Sequence, residues 1–241
     1  MPRWVHLILD VVFPPDCEVC DTPLPPAHGS CLCASCCAAM RPPLPPLCPR
    51  CGVPVPPRTV RDECPACVRR PPAFTSARAA ALYLPAAVGL NALAAAVHGL
   101  KYRRRRRVAA ALGPLLAARY PYGADVLLVP VPLHVNRLRT RGFNQALLLA
   151  RALGRRRGLE VAARALVRLR DTHIQPGLSA VERQGNLRGA FAVRSPDMVA
   201  GRHVVLVDDV LTTGATADAC ASSLCAAGAA RVDVFTAGRA P

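Results

Sequence analysis

The sequence predicts an α/β fold, a parallel sheet flanked by helices, preceded by a small metal-binding module. Three observations lead there. Val204-Val205-Leu206-Val207 is an unbroken apolar run, mostly β-branched, that ends in Asp208-Asp209; such runs are strands buried on both faces, as in parallel sheets. Asp125-Val126-Leu127-Leu128-Val129 has the same character and precedes a helical pattern. Four Cys-x-x-Cys pairs stand in the first 72 residues among seventeen of the 25 prolines. The division that follows is a double zinc-ribbon module at 1–72 and an α/β domain at 73–241.

A chain of 241 residues that is 52% hydrophobic can bury an ordinary core, which excludes disorder throughout. Its 31 basic and 15 acidic side chains give a formal charge of +16, and the excess is local. Residues 1–72 hold seven basic and six acidic groups, whereas 101–170 hold seventeen basic groups against Asp125 and Glu160. A basic field of this kind favours anionic partners: phosphorylated metabolites, nucleic acid or an acidic membrane surface.

Taking the elements in order, Trp4 to Leu9 is too short for a secretory core, is broken by Asp10 and lacks a small-residue cleavage site. Export is not expected. The cysteines form the knuckles Cys17/Cys20, Cys33/Cys36, Cys48/Cys51 and Cys64/Cys67. Two residues between thiolates let a tight turn aim both sulfurs at one tetrahedral ion, and a second turn completes four ligands. Two structural Zn2+ sites built from consecutive knuckles are expected. A crossed pairing remains open, and Cys31 or Cys37 could replace a neighbour. Solitary redox motifs sit on βαβ units, unlike these four pairs. Cys220 and Cys225 read as small apolar residues of a helix.

Ala79 to Leu100 carries no formal charge, yet Pro85, Gly89, Asn91 and His98 interrupt it and alanine adds little transfer energy. It reads as a strand followed by an amphipathic helix, with no membrane span. The expected compartment is the cytoplasm, where clustered cysteines more often bind metal than form disulfides. Arg103 to Arg107 and Arg155 to Arg157 read as solvated faces. Arg137, Arg139 and Arg141 either line an extended loop or splay around a helix start. Asn144 and Gln145 open a helix expected to end near Gly154, with Leu147, Leu148 and Ala152 inward.

The segment with the most chemistry is Val204 to Thr216. Asp208 and Asp209 fall at the carboxyl end of the predicted strand, where open α/β sheets bind ligands. Thr212-Thr213-Gly214-Ala215-Thr216 then leads into a helix predicted over 215–227, ended by Gly228. Loop amides, threonine hydroxyls and a helix N-terminus make an anion site. Carboxylates beside a phosphate cradle fit a ribose 5-phosphate: the loop takes the phosphate and the two aspartates accept hydrogen bonds from the ribose hydroxyls. The Gly-Lys-Ser/Thr ending of a Walker loop is absent, as is a Gly-x-Ser-x-Gly nucleophile elbow. A final strand is predicted over 231–236.

This thirteen-residue stretch resembles the phosphoribosyl pyrophosphate (PRPP) signature of type I phosphoribosyltransferases. With Asp125 to His134, Arg141-Gly142-Phe143-Asn144-Gln145, Gln175-Pro176-Gly177-Leu178-Ser179, Glu182-Arg183, Asn186-Leu187 and Gly189-Ala190-Phe191, nearly the whole chain resembles the ComF family of competence-associated, GntX-like phosphoribosyltransferase homologues, many with an N-terminal double zinc ribbon. The resemblance implies a type I phosphoribosyltransferase-like sheet. It implies a pyrophosphate loop at Val131, Pro132, Leu133 and His134 with Arg137 and Arg141 nearby, and a closing flexible loop around Arg168, Arg170 and Gln175. It also implies Mg2+ accompanying PRPP. Lys101-Tyr102 matches a family Lys-Tyr, but Arg103 replaces the small residue that often follows, and no ligand role is assigned to Lys101.

Three functions follow. A phosphoribosyltransferase with catalytic Asp208 and Asp209 would pass the phosphoribosyl group to an acceptor the sequence does not identify. A PRPP sensor would keep the site and act through a partner. An accessory protein of DNA uptake would handle single-stranded DNA or meet DNA-uptake proteins, although 4% aromatic residues leave few stacking platforms.

Overall fold

The computed structural model describes residues 15–25, 29–56, 63–84, 91–171, 187 and 189–241. Five parallel strands form the main sheet: β1 (Ala77–Leu82), β2 (Leu127–Pro130), β3 (Glu160–Val161), β6 (His203–Leu211) and β7 (Arg231–Arg239). Their spatial order is β1-β7-β6-β2-β3. The fold is thus the expected α/β one, a phosphoribosyltransferase-like parallel sheet behind a zinc-ribbon module. A separate antiparallel pair joins β4 (Leu166–Arg168) to β5 (Phe191–Val193).

The strands alternate between two cores, as a sheet covered on both sides must. Leu128, Val205, Val207 and Phe235 face one core, and Leu127, Val129, Val204, Leu206 and Val234 face the other. On the first side lie α3 (Ala92–Tyr102), α4 (Arg107–Ala111), α5 (Gly113–Arg119) and α7 (Gln145–Arg157); on the second lies α8 (Ala215–Ala226). A short α6 (Val135–Arg141) precedes α7. Among the described residues no helix is long and apolar enough to cross a membrane.

Helix α7 runs beyond its predicted end. Gly154 is a mid-helix residue kept small by packing, since a Cβ there would lie 2.8 Å from Val161 Cγ2; the stop is Gly158, in the left-handed region at φ 66°. The inward residues are Leu149, Ala150, Ala152 and Leu153, with Leu147 and Leu148 only half-buried. The final strand also extends past its expected end, to Arg239.

The cysteine module does not stand apart from the sheet. Its helices are α1 (Ala34–Ala39) and α2 (Pro65–Arg69). Cys17, Leu24, Leu32 and Met40 belong to the same apolar cluster as Leu100, Leu112 and Phe235. Arg119 donates to the carbonyls of Met40 and Ala80, stitching module to sheet. The run Arg103 to Arg107 is not uniformly a solvated face either: Arg105 donates to the carbonyl of Glu18, Arg104 to that of Thr140, and Arg106 lies over the Phe143 ring. Cys220 is buried as expected, whereas Cys225 is exposed.

Candidate functional site

Strands β2 and β6 are neighbours, with Pro130 opposite Val207. From β2 the chain turns through α7 to β3 on one side, and from β6 it turns through α8 to β7 on the other. This divergence is the topological switch point, where the loops after two adjacent strands part and leave a crevice. Residues 131–134 form one wall and 212–214 the other.

On the β6 wall, Thr212 and Thr213 are exposed and Gly214 takes φ 81°, a left-handed conformation that favours glycine. Its turn starts α8, so the free amides of the first helical turn and the positive end of a twelve-residue helix face the crevice. The Thr213 hydroxyl accepts weakly from Ala215 N–H at 3.4 Å. Thr216 follows, half-buried in that turn.

The carboxylates lie inside the strand rather than beyond it. Asp209 is 3% exposed, and its Oδ1 is 2.9 Å from Lys101 Nζ while its Oδ2 is buried with no hydrogen-bond partner. Asp208 Oδ1 accepts from the Asp209 backbone N–H at 2.8 Å. Burial first, and then the charge of Asp209, push the Asp208 pKa up to about 7 against the pull of Lys101. For Lys101 burial works against the charge, but Asp209 and Asp208 outweigh it and hold the ammonium above its ordinary value. Asp209 thus pairs with Lys101, and Asp208 feels the same cation's charge without contacting it.

Lys101 is the residue that the sequence reading left without a role. Its signal was present: it is the chain's one lysine among thirty arginines, placed in the last turn of a helix directed at the sheet. Its neighbour Tyr102 is 68% exposed, with Arg141 5.9 Å from its ring centre.

On the β2 wall, Val131 N–H donates to Val207 O and Val131 O accepts from Asn144 Nδ2, which fixes the start of the loop. Val131 and Pro132 are buried, Leu133 and His134 half-buried. His134 caps α6, and its Nδ1 is 3.3 Å from Asp171 Oδ2. The three alternate arginines fall on this helix, not on an extended loop. Arg137 and Arg141, four residues apart, share a face, and Arg139 points elsewhere. Arg137 approaches Asp171 at 3.7 Å, and Arg141 donates to Gln145 Oε1 at 2.6 Å.

Arg168 departs from the loop expected around it, because it ends β4 and lies over the Phe191 ring. Burial, then Arg137, lowers its pKa, and Asp208 is among the charges that oppose this. Arg170 follows the strand, accepting through its carbonyl from Arg168 Nε. Gln175 lies outside the described residues.

Away from the crevice, the cysteines converge in two groups, Cys17/Cys20/Cys33/Cys36 and Cys48/Cys51/Cys64/Cys67, with sulfurs within 4.8 Å of one another. Consecutive knuckles pair, and neither Cys31 nor Cys37 joins them. Tetrahedral zinc with Zn–S near 2.3 Å sets sulfurs about 3.8 Å apart; Cys20–Cys33 at 3.7 Å and Cys51–Cys64 at 3.6 Å fit. Backbone N–H groups of Cys33 and Cys64 donate to Cys17 and Cys48 sulfur, as a thiolate requires. Both groups are suited to structural Zn2+.

The fold is that of an α/β protein of the type I phosphoribosyltransferase-like class carrying a zinc-ribbon module. Residues 8–68 match the double zinc ribbon domain family. The chain is 37% identical over 226 residues to DNA utilization protein YhgH of Salmonella typhimurium (strain LT2), covering 91% of this chain and 94% of that one. It is 38% identical over 179 residues to the Escherichia coli (strain K12) protein of that name, covering 71% and 75%. Competence protein F of Haemophilus influenzae is 38% identical over 114 residues, 47% of this chain and 50% of the other. Among solved structures, glutamine PRPP amidotransferase from B. subtilis complexed with ADP and GMP is 25% identical, with TM-score 0.37 over 53% of this chain and 26% of that one. The chain belongs to the ComF family.

Proposed function

We propose that the protein binds PRPP in the crevice between residues 131–134 and 212–216 and transfers its phosphoribosyl group to an acceptor, releasing pyrophosphate. One observation carries this reading. A buried carboxylate, Asp209, paired on one oxygen with Lys101 and lacking a donor on the other, stands next to Asp208 in β6, the strand that leads into a glycine-opened helix N-terminus. Ribose hydroxyls are neutral donors for that oxygen, and the attached phosphate suits the amides.

In this reading Thr212, Thr213, Gly214, Ala215 and Thr216 hold the 5-phosphate. Asp208 and Asp209 fix the 2′- and 3′-hydroxyls and stabilise positive charge growing at C1. Val131, Pro132, Leu133 and His134, with Arg137 and Arg141, hold pyrophosphate, and Arg168, at the end of β4 and within the influence of Arg137 and Asp208, adds positive charge beside it. The C1–O bond breaks with its electron pair leaving on pyrophosphate, and the acceptor atom bonds to C1 and gives up its proton. Asp208 and the unpartnered Asp209 oxygen are the hard donors that would hold Mg2+. When bound, Mg2+ supplies further neutralisation of the leaving pyrophosphate. We assign the module to 1–72, the transferase unit to 73–241 and the protein to the cytoplasm, where four-thiolate zinc sites persist.

A second reading is favoured by the names of the relatives, which speak of DNA utilization and competence, and by the exposed Arg103, Arg107 and Tyr102. It is an accessory role in DNA uptake, handling single-stranded DNA or sensing PRPP. Calorimetry with PRPP and pyrophosphate release over an acceptor panel separate the readings. Asp208→Asn with Asp209→Asn should weaken PRPP binding at least about 100-fold, two charge-assisted contacts being lost, without unfolding the chain. Binding undiminished in that variant would overturn the site. Tight binding without turnover on any acceptor would favour sensing.

A further inference from the structure

We propose that Arg239 is a strut between the second cysteine cluster and the phosphate loop, so that zinc at Cys48/Cys51/Cys64/Cys67 and phosphate at residues 212–216 strengthen each other's binding. The phosphate half rests on the PRPP reading above.

Arg239 ends β7 and is buried, 7% exposed. Its guanidinium divides its donors between two regions. Nη1 donates to the carbonyls of Leu211 at 3.0 Å and Thr212 at 2.8 Å, the residues that lead into the loop. Nε donates to the carbonyl of Cys51 at 2.9 Å, and Nη2 lies 3.7 Å from Cys51 sulfur. A guanidinium is planar and rigid, so a shift of the knuckle by a fraction of an ångström is transmitted to the loop rather than absorbed. The knuckle has little slack elsewhere. A Cβ at Gly52 would lie 2.5 Å from Ala77 O, Ala77 N–H donates to Arg50 O, and Arg78 donates to Pro49 O.

The chemistry gives the coupling its sign. A zinc-bound Cys51 is a thiolate, whose charge holds the guanidinium and stabilises it in its buried position. Without metal the cysteine turn loses its fixed shape, so Arg239 loses its anchor at the Cys51 carbonyl and the 211–212 carbonyls lose theirs. Groups contacting a metal ligand in this way alter metal affinity or activity by about 10–100-fold. Binding linkage requires that the influence run equally in both directions.

The test uses the full-length zinc-loaded protein, with Arg239→Met and Arg239→Lys. PRPP affinity is measured by calorimetry and zinc loss by transfer to a chromogenic chelator. In Arg239→Met, PRPP should bind about 10–100-fold more weakly and one of the two zincs should leave faster by a similar factor, with the other unchanged. Arg239→Lys should fall between, because it keeps the charge and loses the fork. Saturating PRPP should slow that same zinc in the wild type and not in Arg239→Met. Wild-type PRPP affinity together with wild-type release of both zincs in Arg239→Met would overturn the strut.

Absence of PRPP binding by the wild type would overturn the functional reading instead. Amide hydrogen exchange of the wild type before and after zinc removal then judges the strut, and it does so too where Arg239→Met fails to fold. Residues 211–214 should exchange faster while β2 stays protected. Unchanged exchange at 211–214 would overturn the strut.

Discussion

The two ends of the central strands hold buried aspartates in opposite conditions. At the amino end, Asp233 is 0% exposed and fully served: Ser76 donates to Oδ1 through its N–H at 2.9 Å and its hydroxyl at 2.8 Å, while Arg231 Nε and His203 Nε2 lie 2.7 Å from Oδ2. Burial opposes its charge, but Arg231, Ser76 and His203 outweigh it and hold the carboxyl below its usual range. At the carboxyl end, Asp209 pairs with Lys101 through one oxygen and has no partner on the other, and Asp208 is pushed to about 7. One sheet thus treats the same side chain as a fastening at one end and as an unfinished contact at the other. Deficits of this kind mark where a ligand completes the bonding.

Removing the fastening should have the largest effect on stability. Asp233→Ala leaves the Ser76 N–H and hydroxyl without their acceptor and removes the partner of the half-exposed Arg231, and should cost about 1–3 kcal/mol in denaturant unfolding, with PRPP affinity per folded molecule unchanged. A loss of affinity matching the loss of stability would dissolve the distinction between the two ends.

The unfinished end predicts a smaller change of opposite sign. Because Asp208 has a raised pKa in the folded state, the folded protein binds more protons than the unfolded chain between about pH 4 and pH 7, and Asp208 lowers stability progressively as pH rises through that window. Asp208→Asn should therefore melt higher than wild type at pH 8, by about 2–4 °C for each kcal/mol relieved, with the gain gone below pH 4. Asp233, with its lowered pKa, contributes stability that is present above the ordinary carboxylate range and lost as pH falls through its folded pKa. Melting curves across pH for Asp208→Asn and Asp233→Asn should depart from wild type in opposite directions at neutral pH.

The smallest effect concerns the basic surface beside the site. Arg103 and Arg107 are exposed, whereas Arg105 is committed to the first knuckle through Glu18. If single-stranded DNA binds here, Arg103→Gln with Arg107→Gln should lower the salt dependence of binding by about one unit of slope per arginine and leave the melting temperature unchanged. A salt slope equal to wild type would remove this surface from the DNA reading.

Much of this architecture is written in local pattern. The apolar run at 204–207 and the Cys-x-x-Cys spacing each report a nearby requirement, burial on two faces or two sulfurs on one ion, and both were readable without a fold. Gly228 ended α8 where expected, at φ 89°. Gly154 misled because its smallness answers to Val161 across the helix–sheet contact and not to a helix end. Lys101 and Arg239 were missed for the same kind of reason. Each acts on residues more than a hundred positions away, or 188 in the case of Arg239 and Cys51. In an arginine-rich chain Arg239 does not differ locally from a solvated cation, and Lys101 is set apart only by being the one lysine.

The strand order also bears on how the chain reaches this state. Strand β7, the last of those among the described residues, lies between β1 and β6. Until it emerges from the ribosome, β1 has no partner in the sheet and β6 shows one bare edge, each offering unpaired backbone groups to any other chain nearby. The sheet can therefore close only once β7 has been made, through pairings between residues about 150 apart. Contacts so distant make closure slow and leave a nascent intermediate dependent on protection. The loop after β6 takes its final shape in the same step, since Arg239 arrives with β7.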